Sequence, residues 1–180
     1  MTSNLTTSTF INHSLTAILV APLATLAVGF FTLEFSKPFL KGLNVAAQQQ
    51  ALAPLALGHG HVMMIFGLIP LIMLVAVHFL REKLELSPRR VKWLITWQSL
   101  YFVFGFSMLA LLIYKGAAVL VLIKDLGDLD LADQALFMGS HALRVSLYSL
   151  SHLLMAMTIG GMSVTLLRVL KPNRLDLTSE

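Results

Sequence analysis

Residues 55–80 read LALGHGHVMMIFGLIPLIMLVAVHFL, without one Asp, Glu, Lys or Arg between Leu55 and Leu80. A helix rises about 1.5 Å per residue, so roughly 20 apolar residues cross the hydrocarbon core of a bilayer. The stretch is long enough, and it stops at Arg81-Glu82-Lys83. It therefore reads as a membrane span. The same reading spreads outward, because charge-free runs also cover 1–33, 93–114 and 145–167.

The chain has 180 residues, 57% hydrophobic and 12% charged, against about 25% charged in a typical globular domain. We expect an all-α integral membrane protein: one domain, a bundle of four transmembrane helices at about 14–33, 55–80, 93–114 and 141–167. There is no cysteine, which excludes disulfides, thiolate metal sites, iron–sulfur clusters and cysteine redox chemistry. The formal charge is +4, but the cations lie at the ends of apolar runs. They read as topology signals, and no nucleic-acid partner is expected. The first fourteen residues hold no basic residue, so the first span is expected to be retained.

Orientation follows from Lys and Arg beside the spans. The loop after span two carries Arg81, Lys83, Arg89, Arg90 and Lys92, and the tail carries Arg168, Lys171 and Arg174. The opposite side carries Lys37, Lys41, Lys115, Lys124 and Arg144. This predicts both termini in the cytoplasm, a multi-pass protein of the inner (cytoplasmic) membrane, and an acidic outer loop with Asp125, Asp128, Asp130 and Asp133. Trp93 and Trp97 sit where an interfacial aromatic anchor belongs.

Ionisable residues inside spans point to function, and here they are histidines. His59 and His61 lie in span two, His152 in span four and His141 near its start; His13 and His78 lie at the cytoplasmic ends. Imidazoles on facing helices are a standard way to hold haem. Counted from the cytoplasmic charges, His59 or His61 can share a plane with His152 after modest tilt. His59 and His61 are two apart and diverge by about 200°, so both cannot serve one haem face. Arg144, Tyr148 and His152 follow at four-residue steps on one face. Arg144 is placed either to meet haem propionates or to snorkel to the interface. Gly58 and Gly60 would let a macrocycle approach the backbone. Met63, Met64, Met155, Met157 and Met162 read mostly as apolar filler.

Several stretches are similar to the first helices of subunit I of the heme-copper oxygen reductases. Thr32-Leu33-Glu34-Phe35-Ser36-Lys37-Pro38 resembles the end of that subunit's first helix. His59-Gly60-His61-Val62-Met63-Met64-Ile65-Phe66, with Pro70 beyond, resembles its second. Arg81-Glu82-Lys83-Leu84-Glu85-Leu86-Ser87-Pro88 and Lys92-Trp93-Leu94-Ile95-Thr96-Trp97 resemble the following connection in the B-type branch. Gly139-Ser140-His141-Ala142 loosely resembles the approach to the fourth helix. Small four-helix membrane families with a His-x-His in the second span are also similar, and match in size. The resemblance implies that His59 is an axial haem ligand. The family's other haem and copper ligands have no counterpart here, so oxygen reduction and proton pumping do not carry over.

The expected function is thus a b-type haem-binding membrane protein with His59 and His152 as iron ligands, and His61, Tyr148 and Arg144 around them. A bis-His haem suits electron transfer, with quinone or a respiratory-chain protein as partner. His141 is a substitute second ligand. An open axial position would instead suit sensing of a gas such as NO or O2. The rival readings are copper handling, with donors from His59, His61, Met63 and Met64, and a structural subunit of a membrane complex. No nucleophile–base pattern marks the chain as an enzyme. Gly160-Gly161 followed by Ser163 offers a small-residue surface, from which a homodimer or larger complex is expected.

Overall fold

A computed structural model describes residues 2–81 and 88–170. The sequence readings that fall on Glu82–Ser87 and on the tail from Lys171, including Lys83, Lys171 and Arg174, lie outside the described residues. The elements in chain order are α1 (Thr2–Leu40), α2 (Val45–Val62), a π-helical turn (Met63–Leu68), α3 (Ile69–Arg81), α4 (Pro88–Leu126), α5 (Leu129–Ala135), a short 3-10 turn (Leu136–Gly139) and α6 (His141–Leu170). Spans one, three and four are α1, α4 and α6; span two is α2, the π turn and α3 together. The four helices are long and apolar enough to cross a membrane over Ser8–Leu40, Val45–Phe79, Arg89–Leu126 and His141–Arg168. The expected all-α architecture with four helices of membrane-spanning length is present.

Several ends lie beyond the expected ones. Span one runs on to Leu40 because Glu34 and Lys37, read as its polar exit, pair with each other at 2.6 Å along the same helix. Span two begins at Val45, where Asn44 caps it by accepting from the Ala47 N–H at 2.9 Å. Span three continues past Lys115 to Leu126. It ends as Gly127, at φ +67, donates its N–H to the Ile123 carbonyl at 2.9 Å, the left-handed stop that glycine provides most cheaply. The acidic loop is correspondingly short, and Asp128 caps α5 within it.

Span three is the hub. Spans one, two and four all pack along it, and span one also lies along span two. Span four has no comparable contact with span one or span two. The bundle is therefore three mutually packed helices with the fourth leaning on one of them. Close approach is built from small residues: a Cβ on Gly105 would lie 2.5 Å from Ile65, and one on Gly116 would lie 2.4 Å from Leu55. A buried bond from Gln98 Nε2 to Ser14 Oγ (2.7 Å) ties span one to span three.

Two cores result. One, around Val62, Ile65, Phe66, Tyr101 and Met162, fills the bundle from its middle to the end carrying Arg89 and Arg168, here called the arginine end. The other, Ala51, Leu55, Leu120, Ile123 and Ala132, lies at the loop end with Phe35 and Phe39 against it.

The π turn has a local cause. Pro70 has no N–H to donate, and its ring crowds the preceding turn of a regular helix. In the wider register Ile69 donates to the Met64 carbonyl, five residues back. The next such rung would run from residue 70 to Ile65, and proline cannot supply it. The buried Tyr101 hydroxyl supplies it instead, donating to the Ile65 carbonyl at 2.9 Å. Such turns recur at functional sites, and this one begins at Met63, two residues after His61.

Candidate functional site

Because span four leans only on span three, a cleft remains between spans two and four, floored by span three. Its volume is about 440 Å³, and it is lined by His61, Met64 and Ile65 on span two, Tyr101 and Met108 on span three, and Met155 and Ile159 on span four. That size falls within the usual range of small-molecule pockets. A second cleft, about 430 Å³, between spans one, two and three is almost wholly apolar, with Phe66, Phe102 and Phe106 on its walls and His13 at one side.

The two histidines of span two face opposite ways, as their spacing requires. His59 turns to span one: a Cβ on Gly29 would lie 2.7 Å from its Nε2. His61 turns to the cleft. The sequence reading pairs His59 with His152, whereas here the cleft-facing partner is His61. No spacing argument distinguishes the two, because which neighbour lies on which side is set by the packing order of the spans.

On span four, α6 is regular, so His152 lies within about 20° of Ile159 and about 60° of Met155 around the helix. It therefore sits on the flank that borders the cleft, and it is exposed. Contacts with span three fix the levels. Gly58 lies beside Leu112 and Ile65 against Gly105, so His61 is level with about Leu109. Tyr148 reaches the Leu111 carbonyl and Gly161 lies against Trp97, so His152 is level with about Ser107. At helical rise the two share a layer to within about 3 Å.

Their ring nitrogens are arranged alike. His61 Nδ1 bonds the Leu57 carbonyl at 2.8 Å, and His152 Nδ1 bonds the Tyr148 carbonyl at 2.7 Å. Both rings then carry the proton on Nδ1 and keep Nε2 as a lone-pair donor. His59 is fixed in the same way, at 2.9 Å from the Ala56 carbonyl, but its Nε2 is directed at span one.

The remaining candidates do other work. Arg144 is engaged with Asp133, through both the carboxylate and the main-chain carbonyl of that residue, and Lys115 joins the same carboxylate at 3.3 Å. The guanidinium, read from sequence as either meeting propionates or snorkelling, ties the loop to span four. Tyr148 donates its hydroxyl to the Leu111 carbonyl at 3.0 Å and so anchors span four on span three. His141 is exposed at the start of α6, remote from the cleft layer. Of the copper donors named from sequence, His59 and His61 diverge, Met64 shares the cleft with His61, and Met63 and Met64 are exposed. Among the described residues, no three His, Asp or Glu side chains gather at one point. The sequence reading missed Met108 and Tyr101 as cleft walls; only Pro70, which implies an irregular turn needing an outside donor, points toward Tyr101.

No protein-family model, no curated protein and no solved structure matches the chain. No match therefore links it to the heme-copper oxygen reductases or to any other named family.

Proposed function

We propose that this chain binds b-type haem in the cleft between spans two and four and serves in membrane electron transfer. One observation carries the proposal: His61 on the cleft wall and His152 on the flank of span four beside Ile159 lie at one level, each with Nδ1 held by a carbonyl of its own helix. A ring nitrogen fixed by a carbonyl is the usual second partner of a metal-ligating imidazole, since it sets the tautomer and raises basicity. Held this way, haem would supply one-electron chemistry, with quinone or a respiratory-chain protein as partner. His61 and His152 would be the iron ligands. Met108, Met155 and Ile159 give the cleft apolar walls. His59, turned to span one, packs against Gly29 rather than the cofactor.

The test is the spectrum of the protein purified after expression with ample haem. The wild type should be red, with the low-spin absorption of two axial imidazoles. His61→Ala and His152→Ala should each lower haem occupancy about tenfold or more, while His59→Ala keeps it. A colourless wild type overturns the proposal. Loss in His59→Ala with retention in His61→Ala moves the ligand to the span-one side and overturns the cleft.

A further inference from the structure

At the arginine end, spans three and four part to leave a pocket of about 730 Å³. Arg89 and Arg90 come from the first turn of span three, and Arg168 from the last turns of span four. Trp93 and Trp97 form one wall, and Gly160 and Gly161 open the other. A Cβ on Gly161 would lie 2.5 Å from the Trp97 ring. This small-residue patch, expected to receive another protomer, is at Gly161 already covered by an indole of the same chain.

Among the described residues this charge has no compensating partner: no carboxylate lines the pocket, and none of the three arginines has an ion-pair partner. Arg89 and Arg90 also stand at the positive end of a 39-residue helix, where cations are disfavoured and anions welcomed. Three guanidiniums beside a helix N-terminus call for an anion. The flanking tryptophans set the pocket at the level where lipid headgroups lie.

We propose that this pocket is a binding site for the phosphate of an anionic phospholipid. Arg89, Arg90 and Arg168 take the phosphodiester by bidentate hydrogen bonds. Trp93 and Trp97 flank the glycerol and upper acyl chain, and Gly160 admits them to the helix backbone. Among the described residues the pocket offers three guanidiniums and no carboxylate to pair the ammonium of a zwitterionic lipid, so the site selects lipids with net negative charge. Basic pockets between membrane helices bind such headgroups generally.

The full-length chain, equilibrated with equal phosphatidylglycerol and phosphatidylcholine in mild detergent, tests this by native mass spectrometry. Phosphatidylglycerol should be retained in clear excess. Arg90→Gln and Arg168→Gln should each reduce that retention roughly fivefold, and Lys41→Gln, an equal charge loss at the other end, should leave it unchanged. Equal retention of the two lipids by the wild type overturns the proposal, even where a variant folds poorly. So does an equal loss in Lys41→Gln. Inorganic phosphate that displaces the lipid at millimolar concentration marks a site for free anion and overturns it too.

Discussion

At the scale of single residues, the hydroxyl of Tyr101 takes the place of a backbone donor that Pro70 removed. Tyr101→Phe leaves the Ile65 carbonyl buried and unpaired, and should cost about 1 kcal/mol in an unfolding measurement in detergent. Pro70→Ala restores an N–H one rung from that carbonyl. In the Pro70→Ala background the penalty of Tyr101→Phe should shrink by at least half, so a double-mutant cycle reads the substitution directly. Additive penalties would show that the two residues act separately. Beside this pair, the histidines show where sequence reading reaches its limit. That His59 and His61 oppose each other is a matter of two residues on a helix; which of them meets span four depends on where span one docks.

At the scale of elements, contact is set by where side chains are missing. Gly105→Ala puts a methyl 2.5 Å from Ile65, a β-branched residue with little freedom to yield. It should destabilise the protein by about 1–3 kcal/mol. Gly60, with nothing within 4 Å of its would-be Cβ, is the control: Gly60→Ala should be neutral or raise stability by up to about 1 kcal/mol through helix propensity. Thermal unfolding of both variants in one detergent compares them. The existence of four spans was legible from charge-free runs alone. Their ends were not, because a charged residue stops an apolar run without stopping a helix. Glu34 and Lys37 satisfy each other on the helix surface, and Lys115 reaches Asp133. The π turn was legible only through Pro70, and the cleft not at all, since it comes from span four leaning on span three alone.

At the scale of the molecule, Asp133 joins the loop to two spans at once, through Lys115 of span three and Arg144 of span four. Asp133→Asn removes the shared anion and leaves two cations facing each other. Amide exchange in residues 127–140 should speed up several-fold, with the spans unchanged, and high salt should narrow the difference from wild type. Equal exchange at low salt would show that the loop is held by its apolar contacts instead.

With the four apolar helices in a bilayer, the continuation of span three beyond Tyr114 would have the protein fold in two solvents. Residues 115–126 add about 18 Å of helix past a segment already long enough to cross the hydrocarbon. The loop-end core of Leu55, Leu120, Ile123 and Ala132 would then be drawn together by expulsion of water, whereas the core around Ile65 and Tyr101 would gain nothing from that source, lipid tails being as apolar as its own side chains. The heat-capacity change of unfolding would then belong to the loop end. Cooling weakens that end while leaving the close fit at Gly105 untouched.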